Sequence, residues 1–118
     1  MGSRTLLGLA LLSLAGCGSG ISGEWQGTAG NDSMFLDLSQ DGQDVTGDAC
    51  EAQGMDCYAI QQGTFVDNGL SFYYEWSEAG GMPRVTASLS LDDSGDLLSG
   101  TVHSTKCNCD LHTELTRQ

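Results

Sequence analysis

Alternation constrains this chain more than any other feature. From residue 23 onward, apolar side chains recur at every second position in short runs separated by clusters of Gly, Asp and Asn. Met34, Leu36 and Leu38 share one face of such a run, as do Leu70, Phe72, Tyr74 and Trp76. Val85, Ala87, Leu89 and Leu91 repeat the pattern, with Arg84, Thr86, Ser88 and Ser90 between them. A period of two places alternate side chains on opposite faces of a strand, one dry and one wet. No stretch beyond residue 22 carries the 3.6-residue period of an amphipathic helix. The pattern predicts eight strands, over 23–29, 33–39, 44–50, 57–66, 70–77, 84–91, 97–104 and 108–117.

The turns between them are equally legible. Gln40-Asp41-Gly42, Asp67-Asn68-Gly69, Gly80-Gly81-Met82-Pro83 and Asp92-Asp93-Ser94-Gly95 supply residues that accept the backbone angles of tight hairpins. A shift of 53 residues lays Leu36, Leu38, Gly42, Val45, Thr46 and Gly47 on Leu89, Leu91, Gly95, Leu98, Ser99 and Gly100, which suggests two equivalent hairpins. One-sided antiparallel strands with short connections leave bare edges unless the sheet closes on itself. The expected fold is all-β, a small eight-stranded antiparallel up-and-down barrel, with a β-sandwich as the alternative.

Charge narrows the partners. The 118 residues hold 16 Asp and Glu against four Lys and Arg, a net charge of −12. Nucleic acid and anionic membrane surfaces would be repelled. The length allows one domain.

The N-terminus has a separate character. Arg4 is the only charge before Glu24, and an apolar run over 5–14 follows it. That run is too short for a transmembrane helix, which needs about 20 residues, and has the layout of a secretory signal. Leu14-Ala15-Gly16-Cys17 resembles a bacterial lipobox. The resemblance implies cleavage before Cys17, a diacylglyceryl thioether on Cys17 and a further acyl chain such as palmitate on its amine. It divides the chain into a signal peptide (1–16), a lipidated flexible tether (17–22) and a barrel domain (23–118). Gly18, where Asp often marks inner-membrane retention, points to lipid anchoring at the outer membrane.

The first strand opens Gly23-Glu24-Trp25. Gly-x-Trp at the head of an eight-stranded barrel resembles the calycin group of lipocalins, fatty-acid-binding proteins and avidins. That resemblance implies that Trp25 sits at the closed barrel end and that Arg117, near the end of the last strand, packs over its ring. It also makes Phe72, Tyr74 and Trp76 either packed core or the wall of a ligand cavity.

With Cys17 lipidated, Cys50, Cys57, Cys107 and Cys109 remain as an even set suited to disulfides. Alternate connections of an up-and-down barrel share one rim, which brings the loop holding Cys50 and Cys57 near the one holding Cys107 and Cys109. The expectation is two cross-links between these loops, with local Cys50–Cys57 pairing as the alternative. A soft-metal site for Cu(I) or Zn²⁺ is a minor reading, drawing on Met55, Cys57, His103, Cys107, Cys109 and His112. Thiols outside the cytoplasm oxidise, and the alternation turns both histidines outward, so no metal or other cofactor is expected. The acidic turns lack EF-hand spacing.

No nucleophile–base–orienter arrangement or phosphate loop is present, and the chain does not read as an enzyme. The expectation is a monomeric, outer-membrane-anchored, non-catalytic module of the bacterial envelope, its membrane contact through the lipid and its partner a basic envelope protein. The alternative is a lipocalin-like carrier of a small apolar ligand.

Overall fold

A computed structural model describes residues 20–52 and 55–118. The expected signal peptide and Cys17 lie outside the described residues. Nine strands follow in order: β1 (Gly23–Ala29), β2 (Asp32–Asp41), β3 (Asp44–Ala52), β4 (Met55–Ala59), β5 (Gln61–Val66), β6 (Gly69–Glu75), β7 (Arg84–Leu91), β8 (Leu97–Ser104) and β9 (Cys109–Arg117). Every pairing is antiparallel. The ring runs β2-β1-β9-β8-β7-β6-β5-β3, and β3 pairs with β2 to close it. The fold is therefore a closed eight-stranded barrel with β4 as an extra strand, and no sandwich.

Local chemistry sets the corners. Asp67 and Asn68 have φ of 53° and 62°, the two positive angles of a tight hairpin turn between β5 and β6. The single strand expected over 57–66 is broken at Ile60, whose amide donates to the Gly47 carbonyl. Gln62 has φ 51°, and the β5–β6 register slips between Gln61 and Thr64. That bulge changes which residues face inward, so Tyr58 and Ile60 precede it in one phase and Phe65 follows in the other. Below the break, β5 joins β3 to β6. Above it, β4 pairs with β3 alone and is an edge strand.

The alternating residues meet inside. Leu36, Leu38, Leu70, Leu89, Leu98 and Leu115 are buried together with Trp25 in one continuous core. The repeat seen in the sequence has a structural counterpart at Gly47 and Gly100, paired with Leu38 and Leu89 respectively. A Cβ at either glycine would run into the neighbouring strand's backbone, at the carbonyls of Asp37 and Ser88. Phe35 and its register partner Cys50 are buried out of phase with the core, a feature the alternation did not predict.

Candidate functional site

The two barrel ends differ in kind. At one end Trp25 is fully buried, and its indole N–H donates to the Ile21 carbonyl at 2.9 Å. The Arg117 guanidinium lies 4.4 Å from the Trp25 ring centroid. It donates to the carbonyls of Gly20 at 2.7 Å, Ser22 at 2.9 Å and Gly95 at 2.9 and 3.0 Å. A planar guanidinium suits this task because it can stack on an aromatic face while its edge satisfies several carbonyls. Residues 20–22, expected to end a flexible tether, instead pack here. Ile21 is fully buried, and its amide donates to the Gln40 side chain at 2.9 Å. An apolar plug and a satisfied backbone hold this stretch down, where Gly and Ser composition alone suggested slack.

The opposite end is hollow. The C-terminal ends of β1, β3, β6 and β8 share this rim, around a cavity of about 740 Å³. Its inner wall includes Ala29, Met34, Val85, Val102 and Leu111. One side is aromatic. Tyr58, Tyr74 and Trp76 all line it, with ring centroids 5.8 Å apart for Tyr58–Tyr74, 5.6 Å for Tyr58–Trp76 and 6.0 Å for Tyr74–Trp76. These spacings match favourable offset aromatic pairs. The cluster stands where β4 has parted from β6, so side-chain stacking continues the wall beyond the last β5–β6 pairing.

Phe72, Tyr74 and Trp76 therefore occupy different places. Tyr74 and Trp76 face the cavity, while Phe72 lies deeper, 3% exposed and outside its lining. Tyr58 is the aromatic that the alternation missed, although its phase with Ile60 and against Phe65 carried the signal.

Carboxylates crown the mouth. Asp32, Glu51, Asp56 and Glu78 line it, with Lys106 the one basic residue among them. Glu78 Oε2 accepts from the Lys106 ammonium and from the Trp76 indole N–H, each at 2.8 Å. The Lys106 and Trp76 hydrogen bonds hold the Glu78 carboxyl below its usual range, and the Glu78 bond raises the Lys106 ammonium. Burial, with Glu51 and Tyr58 close by, pushes the Tyr74 hydroxyl up to about 12. Tyr58 is raised by desolvation first and then by Glu51, Asp56 and Glu78, with Lys106 opposing.

The cysteines pair locally. Cys50 is at disulfide distance from Cys57, and Cys107 from Cys109. The expected cross-links between the two loops are replaced by bonds within each. Cys50 is out of phase with the inward Val45 and Ala49 and is the register partner of Cys57 across β3–β4. Asn108, with φ 51°, turns the chain so that Cys107 and Cys109 close on each other with Cα atoms 5.2 Å apart. That separation suits a disulfide. The Cys50–Cys57 bond closes a loop of sequence separation 7, instead of the roughly 50-residue loops of a cross-linked barrel. Replacing both residues with Ser is expected to lower stability by about 2–3 kcal/mol, less than a long cross-link would supply. Urea unfolding measures this, and non-reducing peptide mapping should find each bond within its own loop. An unchanged midpoint, or a peptide joining Cys50 to Cys107, would contradict the pairing.

The residues of the soft-metal reading do not assemble. Among the described residues, no three or more His, Cys, Asp or Glu side chains are arranged so that they could hold a metal ion. His103 meets Asp110 at 2.8 Å and His112 meets Glu114 at 2.9 Å, all four being partly or fully exposed. Asp92, in an acidic turn, accepts from the Ser94 hydroxyl at 2.6 Å, which holds its carboxyl below the usual range. Compared with known families, curated proteins and solved structures, the chain matches no family model, no curated protein and no solved structure.

Proposed function

We propose that this protein is a lipid-anchored, non-catalytic binding protein of the bacterial outer membrane that carries a small molecule in its open barrel end. The observation that carries this reading is the cavity of about 740 Å³, walled by Tyr58, Tyr74 and Trp76 at the end opposite the Trp25–Arg117 closure. Its volume falls within the range of small-molecule sites, roughly 300–1,000 Å³. Neither histidine lines the cavity, so the acid–base side chain most often used in catalysis stands away from the proposed binding site. The carrier reading thus gains over the interaction module, whose support is the net charge alone.

The lipobox-like Leu14-Ala15-Gly16-Cys17 supports the anchor. The chain enters the barrel at its closed end, through Gly20 and Ile21. A lipid on Cys17 would therefore hold that end nearest the membrane and leave the mouth facing away. Labelling cells with a fatty-acid analogue is expected to mark the wild type and not Cys17→Ser; equal labelling would refute the anchor.

Titration with N-phenyl-1-naphthylamine, a neutral apolar dye, tests the cavity. Saturable one-to-one binding is expected, weakened at least fivefold by Trp76→Ala, a change at the rim that leaves the filled half intact. Absence of saturable binding would overturn the carrier reading.

A further inference from the structure

The cavity joins two features with different demands. Its wall offers aromatic surface, and its mouth offers carboxylates. All three basic residues of the described chain are already committed: Arg84 to Glu75 at 2.7 Å, Lys106 to Glu78 at 2.8 Å and Arg117 to Asp96 at 3.6 Å. Asp32, Glu51 and Asp56 therefore line the mouth with no ion-pair partner among the described residues. Glu51 is in phase with Val45 and Ala49, and Asp32 with Met34, so the strand alternation that builds the interior also turns these acids toward it.

An anionic ligand would meet repulsion at this entrance. A neutral ligand would leave the carboxylates without a counter-charge. Low-dielectric walls strengthen the field of such groups across a cleft and concentrate ions of opposite sign there. Ring faces attract a weakly hydrated ammonium through their quadrupole, which is how aromatic pockets recognise quaternary nitrogen. We propose that the ligand is an organic cation, an alkylated or quaternary ammonium with an apolar body, its head between the Tyr58–Tyr74–Trp76 cluster and the Glu51–Asp56 rim and its body in the barrel. This rests on the carrier reading above. Burial first, and Glu51 second, raise the hydroxyls of Tyr58 and Tyr74, which sets this carboxylate close to the aromatic wall.

Three compounds with one body and different heads make the test: 4-phenylbutyl-trimethylammonium, 4-phenylbutanol and 4-phenylbutanoate. Calorimetric titration of the full chain is expected to find the ammonium bound at least tenfold more tightly than the alcohol, with the carboxylate weakest. Raising the salt should weaken the ammonium alone, since screening acts on the charge. The triple variant Asp32→Asn, Glu51→Gln, Asp56→Asn should abolish the preference, read as the ratio of ammonium to alcohol affinity measured in the same variant. Dye binding with equal affinity for ammonium and alcohol would overturn the cation while keeping the carrier. The same holds if the carboxylate binds best, or if the triple variant still prefers the ammonium. Failure of the dye and of all three compounds would overturn both.

Discussion

Trp25→Ala is expected to cost about 3–5 kcal/mol of folding stability, the range for removing a fully buried large aromatic. A domain of this size has only about 5–15 kcal/mol in total, so this one change should consume a large part of it. The cost has three sources. The ring is fully buried beside Ile21, Leu36 and Leu115, so its loss leaves a cavity. The Ile21 carbonyl loses the indole N–H that reaches it at 2.9 Å. The Arg117 guanidinium loses the face it covers at 4.4 Å. Arg117→Lys should be milder but not neutral, because an ammonium cannot reproduce a fork that serves the carbonyls of Gly20, Ser22 and Gly95 together. Urea unfolding followed by far-UV circular dichroism measures both. A loss below about 1 kcal/mol for Trp25→Ala would mean that the closed end is not the principal seat of packing.

Gly47→Ala should also destabilise the barrel strongly, by more than 2 kcal/mol, the scale of a strained backbone added to overpacking. Gly47 has φ 142°, which an L-residue with a side chain rarely adopts. Its missing Cβ is the space occupied by the Asp37 carbonyl of β2. Relief would require β2 and β3 to separate at the Leu38–Gly47 rung, beside core residue Leu38. Gly42→Ala is the informative comparison: its φ of 63° is also positive, but a Cβ there meets nothing within 4 Å. Gly42→Ala should therefore cost only the backbone strain, about 1 kcal/mol. Equal losses at the two positions would show that close strand approach contributes nothing.

The rim and the closed end respond to different changes because the barrel is half filled. Leu36, Leu70, Leu98 and Leu115 are inaccessible to solvent around Trp25. The upper wall instead meets the cavity at Met34, Val85 and Val102. Stability should therefore depend on the lower residues, and affinity for the proposed ligand on Tyr58, Trp76 and the acids above them. This division allows Trp76→Ala to be read as a binding change.

Several elements were legible from residue order. β1, β7 and β8 fall at their expected bounds, because each is a regular alternation ended by turn residues. The Trp25–Arg117 closure carries a similar signal, one motif at each end of the domain. The break at Ile60 was harder to see. Its only trace is a change of phase between Ile60 and Phe65, which a bulge explains after the fact. The pairing of the cysteines was not legible, because sharing a rim is compatible with every connectivity. What decided it was register, which sets Cys50 against Cys57, and the left-handed turn at Asn108.

The sequence by itself determined an all-β chain whose strands must close, since alternation and turn chemistry are local and need no knowledge of distant neighbours. It also determined the excess of acid and the residues with an inward phase. Only the tertiary structure decided that β4 leaves β6 at the mouth and that Tyr58 crosses to Tyr74 and Trp76. The same structure gathers Asp32, Glu51 and Asp56, from three strands, around one cavity. These are non-local facts. A cup is defined by what surrounds it, and closure brings together residues that the sequence keeps up to 82 positions apart, as Ala29 and Leu111 are.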